Sequence, residues 1–256
     1  VPGPASEGMA GLRPQPTPGP RLAPTPLLKQ ALEVVEFTDP MCPWAWGSEP
    51  TFQRLRELTG GRSRWRRVYG ILFDLDDDPP PDPAAETAWY FRFVQQVSEH
   101  TGAPCPARLE RVALSSWPAS IGAKAAARQG VEGAVLRRLR EAMFLRGEPA
   151  DTAERVLAAA AGVEGLDLDA FARDLEDPRI EAAVRADWLE TRRPAAEVIG
   201  LTAPGPHCGA AKPIDGGLRY ALPTLLFEGP LGREIVPGWR PLQQYVDAVE
   251  RVAPAR

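Results

Sequence analysis

Cysteine is scarce in this 256-residue chain: only Cys42, Cys105 and Cys208 occur, and no two form a Cys-x-x-Cys pair. An odd, sparse set excludes a disulfide-stapled scaffold. Histidine is scarcer still, with His100 and His207 alone. Zinc needs about four ligands, usually drawn from closely spaced pairs. The one adjacent pair, His207-Cys208, is poorly spaced for shared coordination, so no metal site is expected. No apolar run reaches the roughly 18 residues of a membrane span, and no membrane partner is expected. The start lacks the apolar core of a secretory leader, which makes the cytoplasm the expected location. Acids and bases are mixed, the net charge is -4, and no basic stripe appears. Nucleic acid is therefore not an expected partner. Lysine is rare beside arginine, and alanine and proline are abundant, which is the accent of a GC-rich genome rather than a functional signal.

What remains is an ordinary globular composition, 44% hydrophobic, in a length that suits one α/β domain with a large insertion. Residues 1–30 are dense in proline, glycine and small side chains without a hydrophobic period, and read as a disordered extension. Glu33 to Phe37 mixes β-branched and aromatic residues and reads as a buried strand. Ser48 to Thr59 has helical spacing in Phe52, Leu55 and Leu58, and Arg64 to Phe73 reads as a second strand. Asp74 to Pro83 is an acidic, proline-rich loop. Residues 84–199 are read as an inserted helical domain. Its helices are predicted over Ala84–His100, Pro118–Gln129, Glu132–Leu145, Asp151–Ala161, Leu168–Leu175 and Pro178–Arg192. A loop from Thr202 to Leu218 follows. Strands at Leu222–Phe227 and Glu234–Val236 flank a Gly229–Gly232 turn, and an amphipathic helix spans Arg240–Val252. Residues 31–83 and 200–256 thus make one α/β domain around a single sheet, interrupted by the helical block.

The informative stretch is Asp39-Pro-Met-Cys-Pro-Trp-Ala-Trp-Gly-Ser-Glu-Pro50, where a cysteine stands just where a strand gives way to a helix. A helix N-terminus presents unpaired N–H groups and partial positive charge, which favour thiolate, the nucleophilic form. Pro43 suits the first turn, because its missing N–H costs nothing there, and Pro50 should kink the helix. This segment resembles the active site of DsbA-family proteins, most closely the FrnE-like branch of dithiol-disulfide isomerases. Leu222-Pro223-Thr224 resembles the loop with a cis-proline that faces the thiol in that fold. Trp117 to Gly130 is similar to a helix of the inserted domain. The resemblance covers Glu33 to Val252 in element order. It implies a thioredoxin-like fold with a large α-helical insertion between strand 2 and the cis-proline strand.

The family's second motif cysteine is replaced by Ala45. A motif disulfide cannot form, and the dithiol mechanism fails as written. What the resemblance then implies is a monothiol oxidoreductase acting through Cys42, with Pro43, Trp44, Ala45, Leu222, Pro223 and Thr224 lining the substrate site. A mixed disulfide on Cys42 would be released by a low-molecular-weight thiol, glutathione or mycothiol, or by Cys208 as a candidate resolving thiol. The expected partner is that small thiol or a protein disulfide. No tightly bound cofactor is expected, and nothing specifies an oligomeric state. Cys42 is expected to be the most reactive of the three thiols near neutral pH. Plainer readings stand beside these: Cys42 as an inert buried thiol, Asp39 as a turn residue, His207 and Cys208 as loop residues. Two other functions fit the same resemblance. One is a kappa-class glutathione transferase or isomerase, which needs only one activating residue. The other is a degenerate binding protein that keeps the groove without the chemistry.

Overall fold

In the computed structural model, which describes residues 32–74, 81–202 and 206–253, the chain starts with strand β1, Leu32–Thr38. Its alternation is that of a strand covered on both faces. Val34 packs toward Phe52, Leu55 and Tyr245, while Val35 and Phe37 face Val68, Leu222 and Tyr220. Helix α1 (Pro43–Thr59) follows, then β2 (Ser63–Tyr69). Six helices come next: α2 (Pro83–Thr101), α3 (Trp117–Ala126), α4 (Glu132–Glu141), α5 (Ala153–Ala160), α6 (Leu168–Leu175) and α7 (Pro178–Thr191). The chain closes with β3 (Lys212–Ile214), β4 (Gly217–Arg219), β5 (Thr224–Gly229), β6 (Gly232–Pro237) and α8 (Leu242–Val252).

The main sheet runs β2-β1-β5-β6, with β1 parallel to β2 and antiparallel to β5. Phe37 lies opposite Thr224, so the loop before β5 is delivered to the C-terminal end of β1, beside the start of α1. That register brings together two segments 180 residues apart. The expected thioredoxin-like α/β fold with a helical insertion is the fold found, with α2 to α7 standing between β2 and the later strands.

Several boundaries differ from those read in the sequence, three of them at places that shape the site or its approach. Helix α1 begins at Pro43, where the Cys-Pro pair places the first turn and five residues before the Phe52-Leu55-Leu58 spacing alone would start it, because Gly47 and Pro50 interrupt the apolar period without ending the helix. Strand β2 stops at Tyr69 rather than Phe73, since Ile71 takes a positive φ of 50° and turns the chain away. The 202–218 loop contains the short β3–β4 ribbon, whose strands are too brief to show a period. The 1–30 extension lies outside the described residues, as does most of the 74–83 loop.

A buried ionic cluster joins the sheet to the helical block. Glu36 on β1 is fully buried and meets Arg56 of α1 at 2.8 Å, Arg67 of β2 at 3.2 Å and Arg140 of α4 at 3.6 Å. Arg140, itself fully buried, also binds Glu49 and donates to Thr38 Oγ1 at 2.7 Å. Arg67 continues to Glu132 at 3.1 Å. Burial pushes the Glu36 carboxyl up, but the three guanidinium groups outweigh it and hold the pKa at about 2.

Candidate functional site

Cys42 stands at the N-cap of α1 in an extended conformation (φ −86°, ψ 118°), with Pro43 opening the helix. Its carbonyl accepts the first intrahelical bond, from Trp46 N at 3.0 Å. The thiol donates to the carbonyl of Leu222, with Sγ 3.4 Å from the oxygen. The Leu222–Pro223 peptide bond is cis. Pro223 O accepts from Gly238 N at 2.7 Å, and Thr224 Oγ1 donates to Ala221 O at 2.7 Å, so the loop is fixed on both sides of the thiol. Pro43, Trp44, Ala45, Leu222, Pro223 and Thr224 are all buried around it, and Ala45 is wholly inaccessible.

The thiol is not the activated anion expected of a helix N-terminus. Cys42 is only 4% exposed, and burial pushes its pKa up to about 11. The backbone N–H groups of Ala45 and Trp44 and the Arg219 guanidinium act in the opposite sense, while the Asp39 charge adds to the rise. Desolvation wins, so at pH 7 the sulfur is a neutral donor satisfied by Leu222.

Asp39 has a wider role than a turn. Its Oδ1 accepts from Met41 N at 2.7 Å and from Ser116 Oγ at 3.0 Å, and its Oδ2 accepts from Leu72 N at 2.7 Å. One carboxylate thereby ties the cysteine loop to the end of β2 and to the start of α3. On another side, Tyr90 Oη donates to Met41 O at 2.8 Å.

His207 is drawn into the same site. Its Nε2 lies 3.1 Å from Leu222 O, the oxygen that Cys42 also uses. A carbonyl only accepts, so Nε2 carries the proton. Burial pushes the ring's pKa down to about 4, leaving it neutral. The His207 ring meets Trp44 edge-on at 5.0 Å; Trp44 meets His100 at 5.7 Å, and His100 meets Trp239 at 4.7 Å. Cys208 is half-buried on the same segment, whereas Cys105 is exposed beyond α2. Trp46 turns away, stacking on Phe144 and donating to Pro104 O at 2.8 Å. Tertiary approach alone brings in His207, Ser116 and Arg219, and no local motif marks them.

Residues 33–195 match the family model described as a DSBA-like thioredoxin domain. The ClpXP adapter protein SpxH of Halalkalibacterium halodurans is 30% identical over 177 residues, covering 67% of this chain and 58% of that protein. The chain thus matches less than two thirds of that relative's length. Among solved structures, a candidate protein disulfide isomerase from Nitrosomonas europaea superposes with a TM-score of 0.65 at 17% identity, covering 86% of this chain and 98% of the other. The cytosolic disulfide reductase DsbM from Pseudomonas aeruginosa gives a TM-score of 0.58 at 17% identity, covering 87% and 93%. These two likenesses concern the fold, and the family assignment rests on the sequence match. A lone thiol at the N-terminus of α1, facing a cis-proline loop across the β1–β5 register, is thus set in a chain that belongs to the DSBA-like thioredoxin domain family.

Proposed function

We propose that the chain is a monothiol oxidoreductase that carries out a single thiol–disulfide exchange at Cys42. The observation that supports it most is the pairing of Cys42 Sγ with Leu222 O at 3.4 Å, beside the cis-proline loop, with no second thiol in the motif. In the exchange, Cys42 loses its proton and its thiolate attacks one sulfur of a disulfide R–S–S–R. A Cys42 Sγ–S–R bond forms as the S–S bond of the substrate breaks, and the other half leaves as R–S⁻, which takes up a proton. Ala45 cannot resolve the product, so the mixed disulfide persists until another thiol attacks it. Glutathione or mycothiol, or Cys208, would serve. The test is intact mass after incubation with oxidised glutathione or mycothiol, wild type against Cys42→Ser. A reducible adduct that maps to Cys42 in the wild type, one more than the variant carries, supports the exchange. Equal adduct counts on both proteins, with none at Cys42, would refute it.

The burial of Cys42 favours a second reading, in which the chain binds a protein without chemistry. The adapter role named for the Halalkalibacterium halodurans relative supports this. Partner binding that survives Cys42→Ser unchanged would select it.

A further inference from the structure

The carbonyls of Tyr220, Ala221 and Pro223 are held by Arg219 Nη1, Thr224 Oγ1 and Gly238 N, all from β4, β5 or the turn after β6. The Leu222 carbonyl between them is different: its partners are the Cys42 thiol and the His207 ring. Its partners come from outside those elements, one from the start of α1 and one from the 206–211 segment. An extended peptide or thiol conjugate docking at Cys42 needs a backbone group of this kind.

The seat for His207 is built into the surrounding backbone. Gly238, at φ +77°, lies beneath the ring, where any Cβ would collide with His207 Nδ1. Gly209, at φ +82°, passes so close that a Cβ would stand 2.6 Å from Pro237 O. Arg240 then clasps the segment from outside, donating to His207 O at 2.8 Å and to Cys208 O at 2.9 Å. The ring it holds down is 8% exposed and leans edge-on against Trp44. Yet the seat is imperfect: His207 Nδ1 and Trp239 Nε1 are buried without a hydrogen-bond partner. Buried orphan groups lower the cost of opening, because water satisfies them once the segment lifts.

We propose that residues 206–211 form an inhibitory strap, in which His207 occupies the docking acceptor beside Cys42 and Arg240 latches the strap shut. Lifting the strap frees Leu222 O and admits a reactant to the sulfur. The strap's value as a regulator rests on the exchange proposed above, whereas its effect on access does not.

Iodoacetamide labelling with peptide mapping tests this on the full chain, with exposed Cys105 as the internal reference. Wild-type Cys42 should label at least about tenfold more slowly than Cys105, at a rate indifferent to urea below the unfolding transition, as local opening requires. His207→Ala and Arg240→Gln should each raise the Cys42 rate severalfold and leave the Cys105 rate unchanged. If His207→Ala does not fold, Arg240→Gln decides alone, since it leaves the site's own side chains in place. A Cys42 rate unmoved in the folded variants overturns the strap, as does a wild-type rate that climbs with urea in step with global unfolding. Faster labelling without any mixed disulfide from oxidised thiols would keep the strap and remove the exchange.

Discussion

At Cys42 two influences oppose each other. The end of α1 offers N–H groups to a thiolate, and the closed surroundings withhold the water a thiolate needs. The position of the cysteine was legible in the sequence, because a strand, a Cys-Pro-Trp run and a helix follow one another in a single stretch. Its protonation was not, because Leu222, which receives the thiol's hydrogen bond, and His207, which shares that oxygen, arrive from distant segments. Ala45 is the residue whose replacement should speak most directly. It sits one helical turn after Cys42, a spacing at which two sulfurs can approach bonding distance. Ala45→Cys should form a reversible intramotif disulfide and catalyse insulin reduction well above wild type, as free-thiol counts and turbidity would record. A wild type already as efficient as the variant would show that Ala45 is not what limits it.

Among the elements, β1 and α4 are joined by a bond network that no periodicity announces. Glu36 reads as one of two glutamates in a largely apolar strand, and Arg140 as one of several arginines on an amphipathic helix. Only the fold turns Arg140 inward, fully buried, against Thr38, Glu49 and Glu36. The consequence for acid stability has a definite sign. The unfolded chain protonates Glu36 near its ordinary value of 4.5, and the folded chain only near 2. The stabilisation is therefore complete above about pH 4.5 and drains away as the pH falls toward 2. Glu36→Gln should lower the urea midpoint at pH 7 and flatten the midpoint's fall across that interval. A wild-type midpoint as flat as the variant's would contradict this. Helices α2 and α6 were readable nearly to the residue, since their apolar spacing is uninterrupted and Pro83 and Asp167 mark their starts. The β3–β4 ribbon escaped notice because three-residue strands have no period to read.

Across the whole molecule the described residues form three apolar cores: one centred on Phe52 and Tyr245, one on Leu136, Leu139 and Phe171 that also takes in Tyr69 of β2, and one at the site that joins Val35 and Phe37 to Val97 of α2. Distinct cores permit distinct melting steps. The division at residues 83/84 and 199/200 is proposed as a boundary of chain organisation, and the Arg140 contacts predict that it is not a boundary of stability. Arg140→Ala strips Glu36 and Glu49 of a buried cation, at a cost of about 3–5 kcal/mol. It should also separate the unfolding of the block from that of the sheet, so that calorimetry shows two transitions in the variant and one in the wild type. A single transition in both would mean that the apolar contacts of α3 and α7 couple the two parts on their own.

Three arginines, Arg56, Arg67 and Arg140, meet three glutamates, Glu36, Glu49 and Glu132, in that cluster. The cluster is electroneutral as a set, although none of its members is neutral alone. Added salt, which weakens exposed pairs, has little net field to screen here. Any single charge change leaves an uncompensated ion inside the protein, whereas a change that removes one acid and one base together does not. Sequences descended from a common ancestor with this chain should therefore lose such residues two at a time and of opposite sign, and inherit the survivors as a balanced group.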